Sequence, residues 1–155
     1  MSNAFRSLLD NPDFKSQVKY RVKRIKAGEK ILKQGVKHHY LYFILEGTVR
    51  VSIQGKKRVR PGIADLDSDN IFGEFALFDD FPASADVVSL TESKLIEIDT
   101  SSLQTFMNAH PKIGYNLLLY IMSALIHRLQ HADKCIVNLY AWGIEAHQID
   151  KYLDE

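Results

Sequence analysis

A single cysteine, Cys135, leaves the 155-residue chain without an internal disulfide, which fits a reducing compartment. In its helical context Cys135 reads as a small buried apolar residue. No apolar run is long enough to cross a bilayer. The start, Met1-Ser2-Asn3-Ala4, lacks the basic-then-apolar order of a secretion signal. A cytoplasmic location is therefore expected. Missing too are a Walker loop and a Cys-His cluster. Ser101, Ser102, His110 and His127 show no nucleophile elbow or triad context, so no enzyme is expected. His127 and His131 stand four apart without a third ligand at suitable spacing, and the expectation is no metal.

What is present suits one domain over residues 1–155 with a real core. Hydrophobic residues make up 46% and charged residues 25%. The net charge is +1, but its distribution is lopsided. Residues 15–60 hold fourteen Lys or Arg against Glu29 and Glu46, whereas residues 61–99 hold ten acids against Lys94. Either basic and acidic strands neighbour each other and neutralise locally, or the asymmetry serves an anionic partner.

Along the chain, residues 3–9 read as a short helix broken by Asn11-Pro12-Asp13. Residues 19–23 alternate charged and apolar as a half-buried strand does. The alternation slips between Val22 and Ile25, which invites a bulge. Ile31-Leu32 is a short strand, residues 40–45 a central one, and Val49, Val51 and Ile53 mark the next, followed by a hairpin signal at Gln54-Gly55-Lys56. Residues 63–66, 71–72, 87–88 and 95–98 add further short strands, around a polar turn at 67–70. Many short strands with glycine turns suggest an all-β barrel or roll. Thr100 or Ser101 can cap a helix over about 101–109. Pro111 can open a longer one over about 112–142, which Gly143 can stop. A short helix is expected at about 144–153.

Residues 71–88 run strand, glycine turn, one helical turn, loop, strand. The order Lys26-Ala27-Gly28-Glu29, Gln34-Gly35, Leu41-Tyr42-Phe43-Ile44-Leu45-Glu46-Gly47 and Phe72-Gly73-Glu74 resembles the cyclic-nucleotide-binding domains, the family of catabolite activators and protein kinase A regulatory subunits. The resemblance covers roughly residues 20–140. It implies a mainly β fold, an eight-stranded, jelly-roll-like β-roll over about 18–99, with flanking helices and a long C-terminal helix. A cupin is the nearest other barrel, but the adjacent His38-His39 would point to opposite faces of a strand. Both read as exposed loop residues.

The resemblance makes Phe72, Gly73, Glu74, Phe75, Ala83 and Ser84 a phosphate-binding cassette. Glu74 matches the residue that meets the ribose hydroxyl, and Ser84 matches a phosphate contact. Ala83 stands where the family has an Arg that pairs with the phosphate. Losing that charge-assisted pair removes about 1.5–3 kcal/mol per hydrogen bond. Glu74, Asp79, Asp80 and Asp86 crowd the stretch, and no Lys or Arg lies within residues 71–90, unless Arg50, Arg58 or Arg60 folds over it. At the base-contact positions after Arg128-Leu129-Gln130 stand Ala132 and Asp133, without the family's hydroxyls. No certain cofactor follows; a cyclic nucleotide would bind weakly or not at all.

Within the long helix, Ile113, Leu117, Tyr120, Ile121 and Ala124 form a face able to cover the roll. Leu118, Met122, Leu125, Leu129, Ala132, Ile136 and Leu139 step by four and three, a heptad seam that suits a homodimer. The relatives that activate transcription continue into a helix-turn-helix, for which residues 144–153 leave no room. Sequence-specific DNA binding and membrane association are not expected. The reading is a non-catalytic regulatory module with a degenerate cassette, dimeric and acting through an unknown protein partner. Two alternatives stand beside it: a working cAMP or cGMP sensor, and a nucleic-acid-associated protein using the basic strands.

Overall fold

The computed structural model describes residues 2–53, 62–78 and 81–147. The chain divides into two compact units, Met1–Met122 and Ser123–Glu155. In order, the elements are α1 (Ser2–Asp10), α2 (Pro12–Gln17), β1 (Tyr20–Ile25), β2 (Lys30–Leu32), β3 (Tyr40–Glu46), β4 (Val49–Ser52), β5 (Gly62–Leu66), β6 (Ile71–Phe72), α3 (Phe75–Phe78), β7 (Asp86–Ser89), β8 (Ser93–Asp99), α4 (Thr100–Ala109) and α5 (Pro111–His147). The eight strands among the described residues form two antiparallel four-stranded sheets, ordered β1-β8-β3-β6 and β2-β7-β4-β5. That is the expected roll with its long helix. The expected hairpin at Gln54-Gly55-Lys56 lies outside the described residues.

The roll interior is apolar and aromatic. Ile25, Leu32, Tyr42, Ile44, Val49, Leu66, Phe72, Val87 and Leu95 pack together between the sheets. Strand alternation sends Leu41 and Phe43 to the other face of β3, where Phe5 of α1 stacks on Phe43 at 4.4 Å. Phe14 of α2 meets Phe106 of α4 edge-on at 5.5 Å. In α5, Leu117 and Ile121 of the expected covering face are buried.

Several expectations change. Asn11-Pro12-Asp13 does end α1, but it also starts α2, with the Asn11 side chain accepting from the amides of Asp13 and Phe14 and Pro12 at the first turn, where a missing N–H is harmless. Asp99, not Thr100 or Ser101, caps α4, accepting from the Ser102 amide at 2.8 Å. β1 carries no bulge: its register with β8 is unbroken from Tyr20↔Ile98 to Ile25↔Ser93. Its phase is the reverse of a simple half-buried strand. Val22 is exposed, while Arg21 and Lys23 share a face with Ile25 and reach Glu97. The slip from Val22 to Ile25 was a change of face, not an extra residue. Helix α5 passes through Gly143 to His147, and Gly143 is absent from the glycines with positive φ. Residues 144–147 are thus its last turn rather than the start of a separate helix, and 148–155 lie outside the described residues. Cys135 is exposed, with its Sγ 3.7 Å from His131 Nδ1.

Part of the charge asymmetry is met between neighbouring strands, by four of the fourteen bases of residues 15–60. Arg21 and Lys23 of β1 pair with Glu97 of β8, Lys30 of β2 with Asp86 of β7, and Arg50 of β4 with Asp65 of β5. Glu97 is almost wholly buried. Burial alone would raise its pKa, but hydrogen bonds from Lys23, Arg21 and Tyr42 outweigh that and hold it below the ordinary value. Burial, with the Glu97 carboxylate adding to it, pushes the Tyr42 phenol well above its usual range.

Candidate functional site

The cassette begins where β6 pairs with β3. The register Tyr42↔Phe72 brings the two rings into a stack at 4.8 Å, so Phe72 faces the core. Gly73 follows with φ +78°, a conformation that costs little only for glycine. Space demands glycine as well: a Cβ there would lie 2.8 Å from the Tyr40 carbonyl oxygen, 3.1 Å from His38 Cε1 and 3.2 Å from Tyr42 Cδ2. Glu74 is buried at 5% exposure, and Phe75, exposed, opens α3. Gln104 of α4 donates its side-chain amide to the Leu77 carbonyl and holds α3 in place.

Ala83, at the expected arginine position, is 6% exposed and packs within the roll interior. Its amide donates to the Val36 carbonyl (3.0 Å), and its carbonyl accepts from the Gly35 amide (2.8 Å). The next anchor is Asp86, buried in β7. Its carboxylate accepts from the Gln34 amide and from Lys30 Nζ, each at 2.8 Å. Ser84 between them is exposed. Arg50, one of three bases considered for reaching over the cassette, instead makes two bonds of 2.7 Å to Asp65; Arg58 and Arg60 lie outside the described residues.

The loop between β2 and β3, residues 33–39, thus runs along the cassette. It is tied to Asp86 and Ala83 through residues 34–36. At its other end the His39 carbonyl accepts from the Thr100 amide (3.0 Å). Between the ties, His38 lies against Gly73. His39 is exposed as expected, but His38 is not: both its ring nitrogens are buried and meet no well-formed hydrogen bond among the described residues, the Tyr40 backbone being the polar group beside them. An unsatisfied buried polar group costs about 1–3 kcal/mol, so such groups call for an explanation. Burial lowers the His38 pKa, outweighing the Tyr40 backbone and the Glu74 carboxylate, which pull it up. The sequence flagged the His38-His39 pair but gave no sign of this, because burial of a loop residue depends on what packs over it.

Arg128, Ala132 and Asp133, the base-contact candidates, all lie on α5 in the second unit; Arg128 and Ala132 are half-buried and Asp133 exposed. Of the seam residues, Leu118, Met122, Leu129, Ile136 and Leu139 are exposed, Leu125 and Ala132 half-buried.

Two four-stranded sheets, with the Gly73 turn after β6 and a long helix after the last strand, define a β-roll with a C-terminal helix. The sequence profile of the Cyclic nucleotide-binding domain matches residues 22–110, and the chain belongs to that family. It is 29% identical over 100 residues to the cAMP-activated global transcriptional regulator CRP of Haemophilus influenzae, covering 64% of this chain and 43% of that protein. With the cAMP-dependent protein kinase regulatory subunit of Dictyostelium discoideum it shares 35% identity over 75 residues, 46% of this chain and 23% of the other. The chain therefore spans less than half the length of these curated relatives. In fold it matches a cyclic nucleotide-binding domain from Methylobacillus flagellatus (TM-score 0.71, 23% identity, 77% and 67% of the two chains). It also matches the c-di-GMP responsive global regulator CLP of Xanthomonas campestris (TM-score 0.76, 18% identity, 87% and 64%). Among the described residues, no helix is long and apolar enough to cross a membrane.

Proposed function

We propose that this chain is a non-catalytic regulatory module whose cassette has lost its phosphate anchor, and that it works as a homodimer presenting its surface to a protein partner. The observation that carries the first part is Ala83. Its side chain is apolar and buried, and its backbone amide and carbonyl are already bonded to Val36 and Gly35. A cyclic phosphate arriving there finds no arginine at the position where the family supplies one, and the nearby Lys30 ammonium is already taken by Asp86. Weak or absent binding of cyclic AMP at neutral pH follows. The exposed apolar seam along α5 supports the dimer. Pairing of Arg21, Lys23, Lys30 and Arg50 with acids on neighbouring strands weakens the support that the charge asymmetry lends to a nucleic-acid role. Titration calorimetry with cyclic AMP near physiological salt and pH tests the cassette. Dissociation constants well above micromolar support the reading, and micromolar or tighter binding overturns it.

A further inference from the structure

We propose that His38 is a proton-dependent ligand anchor of the cassette: once protonated, its imidazole supplies the positive charge that Ala83 cannot, so an anionic ligand of the cyclic-phosphate class binds only as the pH falls. This rests on the reading that the arginine anchor is gone.

The geometry comes first. The imidazole lies against Gly73, close enough that a Cβ on that residue would sit 3.1 Å from its Cε1, and 6.3 Å from the Tyr42 ring, centroid to centroid. The loop that carries it is fastened on both sides, to Ala83 through Gly35 and Val36 and to Thr100 through His39. His38 is therefore held at the cassette's opening residue. Both its nitrogens are buried without a well-formed hydrogen bond among the described residues. The Tyr40 backbone can engage one ring N–H; a neutral imidazole then has only an acceptor left, whereas an imidazolium has a second donor to offer a phosphate oxygen.

The charges that face the ring decide the sign. His39, its neighbour on the loop, opposes protonation, and Glu74 of the cassette favours it. Tyr40 and Tyr42 of β3 contribute a backbone group and a phenol, and the phenol stays protonated throughout the neutral range. Burial prevails in the free protein, so the ring is neutral at pH values where an exposed histidine is already partly charged. A bound anion adds a second negative charge beside it and raises its pKa. By linkage, binding takes up a proton, and affinity rises as pH falls from the pKa of the complex toward that of the free protein. A phosphodiester keeps its single charge over this range, so the dependence reports on the protein alone.

The test is titration calorimetry with cyclic AMP as probe at about pH 7.5, 6.5 and 5.5 and constant ionic strength. Each titration is run in two buffers of different ionisation enthalpy, so that proton uptake is read directly. Wild type should bind at least about tenfold tighter at the lowest pH than at the highest, with net proton uptake. His38→Gln, which keeps hydrogen bonding but does not titrate here, should bind with a flat profile and no uptake. His38→Phe should remove the acid-dependent binding, and its thermal midpoint shows whether it remains folded. A slope that survives in His38→Gln overturns the proposal in favour of another titrating group, and Glu74→Gln then identifies whether that group is Glu74. No binding at any pH also overturns it, while leaving the degenerate-cassette reading intact. Micromolar binding at pH 7.5 overturns that reading instead.

Discussion

The β-roll and the later part of α5 handle their difficult side chains in opposite ways. In the roll, the buried acids Asp86 and Glu97 each meet two or more donors from neighbouring strands or loops, and the apolar side chains between the sheets, such as Ile44, Val49, Phe72 and Leu95, are buried. In residues 123–144, Leu129 (62% exposed), Ile136 (60%) and Leu139 (67%) stand in solvent, each leaving apolar surface in water at roughly 25 cal/mol per Å². Between the sheets, the roll's own strands supply the cover; along the helix seam, nothing among the described residues does. In the proposed homodimer a second copy would cover it, because a twofold axis pairs a seam with itself.

The largest expected effect breaks the helix side of this contrast. Leu129 lies mid-seam, and Leu129→Glu would set two carboxylates together in a dry interface, at a cost of several kcal/mol per ion. Association should weaken by roughly a thousandfold or more, while the roll stays folded by circular dichroism. Light scattering on size-exclusion fractions at tens of micromolar reads the change. A monomeric wild type ends the dimer proposal, and a variant that unfolds outright places Leu129 in a core instead.

On the roll side, Asp86→Ala leaves the Gln34 amide and the Lys30 ammonium without their acceptor. Lys30 is partly exposed and can rehydrate, so the loss should sit near about 3 kcal/mol, a fall in thermal midpoint of roughly 6–12 °C. Because Asp86 ties residues 30–34 to the cassette, protease cleavage in the 33–39 loop should also quicken. A midpoint lowered by less than about 2 °C would mean that this tie contributes little and that the roll is less complete than its contacts suggest.

Glu97→Gln sharpens the contrast through pH. The folded pKa of Glu97 lies below its ordinary value, so its contribution is fully present above the unfolded carboxylate pKa and fades as pH falls through the folded one. At neutral pH the variant should lose about 1.5 kcal/mol, the difference between charge-assisted and neutral hydrogen bonds. In denaturant melts that gap should narrow below about pH 4.3 and close further with acid. A gap that stays constant would assign the loss to packing rather than charge.

How much of this could be read beforehand follows the same division. Glycine turns and the aromatic β3 run revealed the roll because each reports a local backbone demand. Gly73 is the clearest case, with φ and free space both requiring glycine. The departure from the family pattern on which the proposed loss of the anchor rests is one letter, Ala83. Hidden were features decided by what lies across a strand or loop. The pairing of Arg21 and Lys23 across β1 and β8 depends on Glu97, some 75 residues away in sequence, and the burial of His38 depends on the cassette it touches. Asp99-x-x-Ser102 and Asn11-Pro12-Asp13 were legible as helix starts, but the hydroxyls beside Asp99 and the break at Asn11 drew attention first. The helical course of Gly143 reflects how weak a stop a glycine is without a positive φ to exploit.

The smallest effect tests whether the cassette differs from its relatives by one residue or by its whole surround. Ala83→Arg restores a base at the position where the family pairs arginine with phosphate. Two charge-assisted bonds would favour binding by about 1.5–3 kcal/mol each. Against that, Ala83 packs in the roll interior, and the new stem must run out along apolar surface to place its guanidinium in water, with overpacking costing about 1–3 kcal/mol. The balance predicts a gain of about tenfold in cyclic AMP affinity, or about 1.4 kcal/mol, read by calorimetry at about pH 7.5, where His38 is neutral and makes no contribution of its own. An unchanged affinity with an unchanged melting midpoint would mean that the loop bonded to Ala83 through Gly35 and Val36 closes the site regardless of charge. An unchanged affinity with a lowered midpoint would assign the failure to crowding inside the roll.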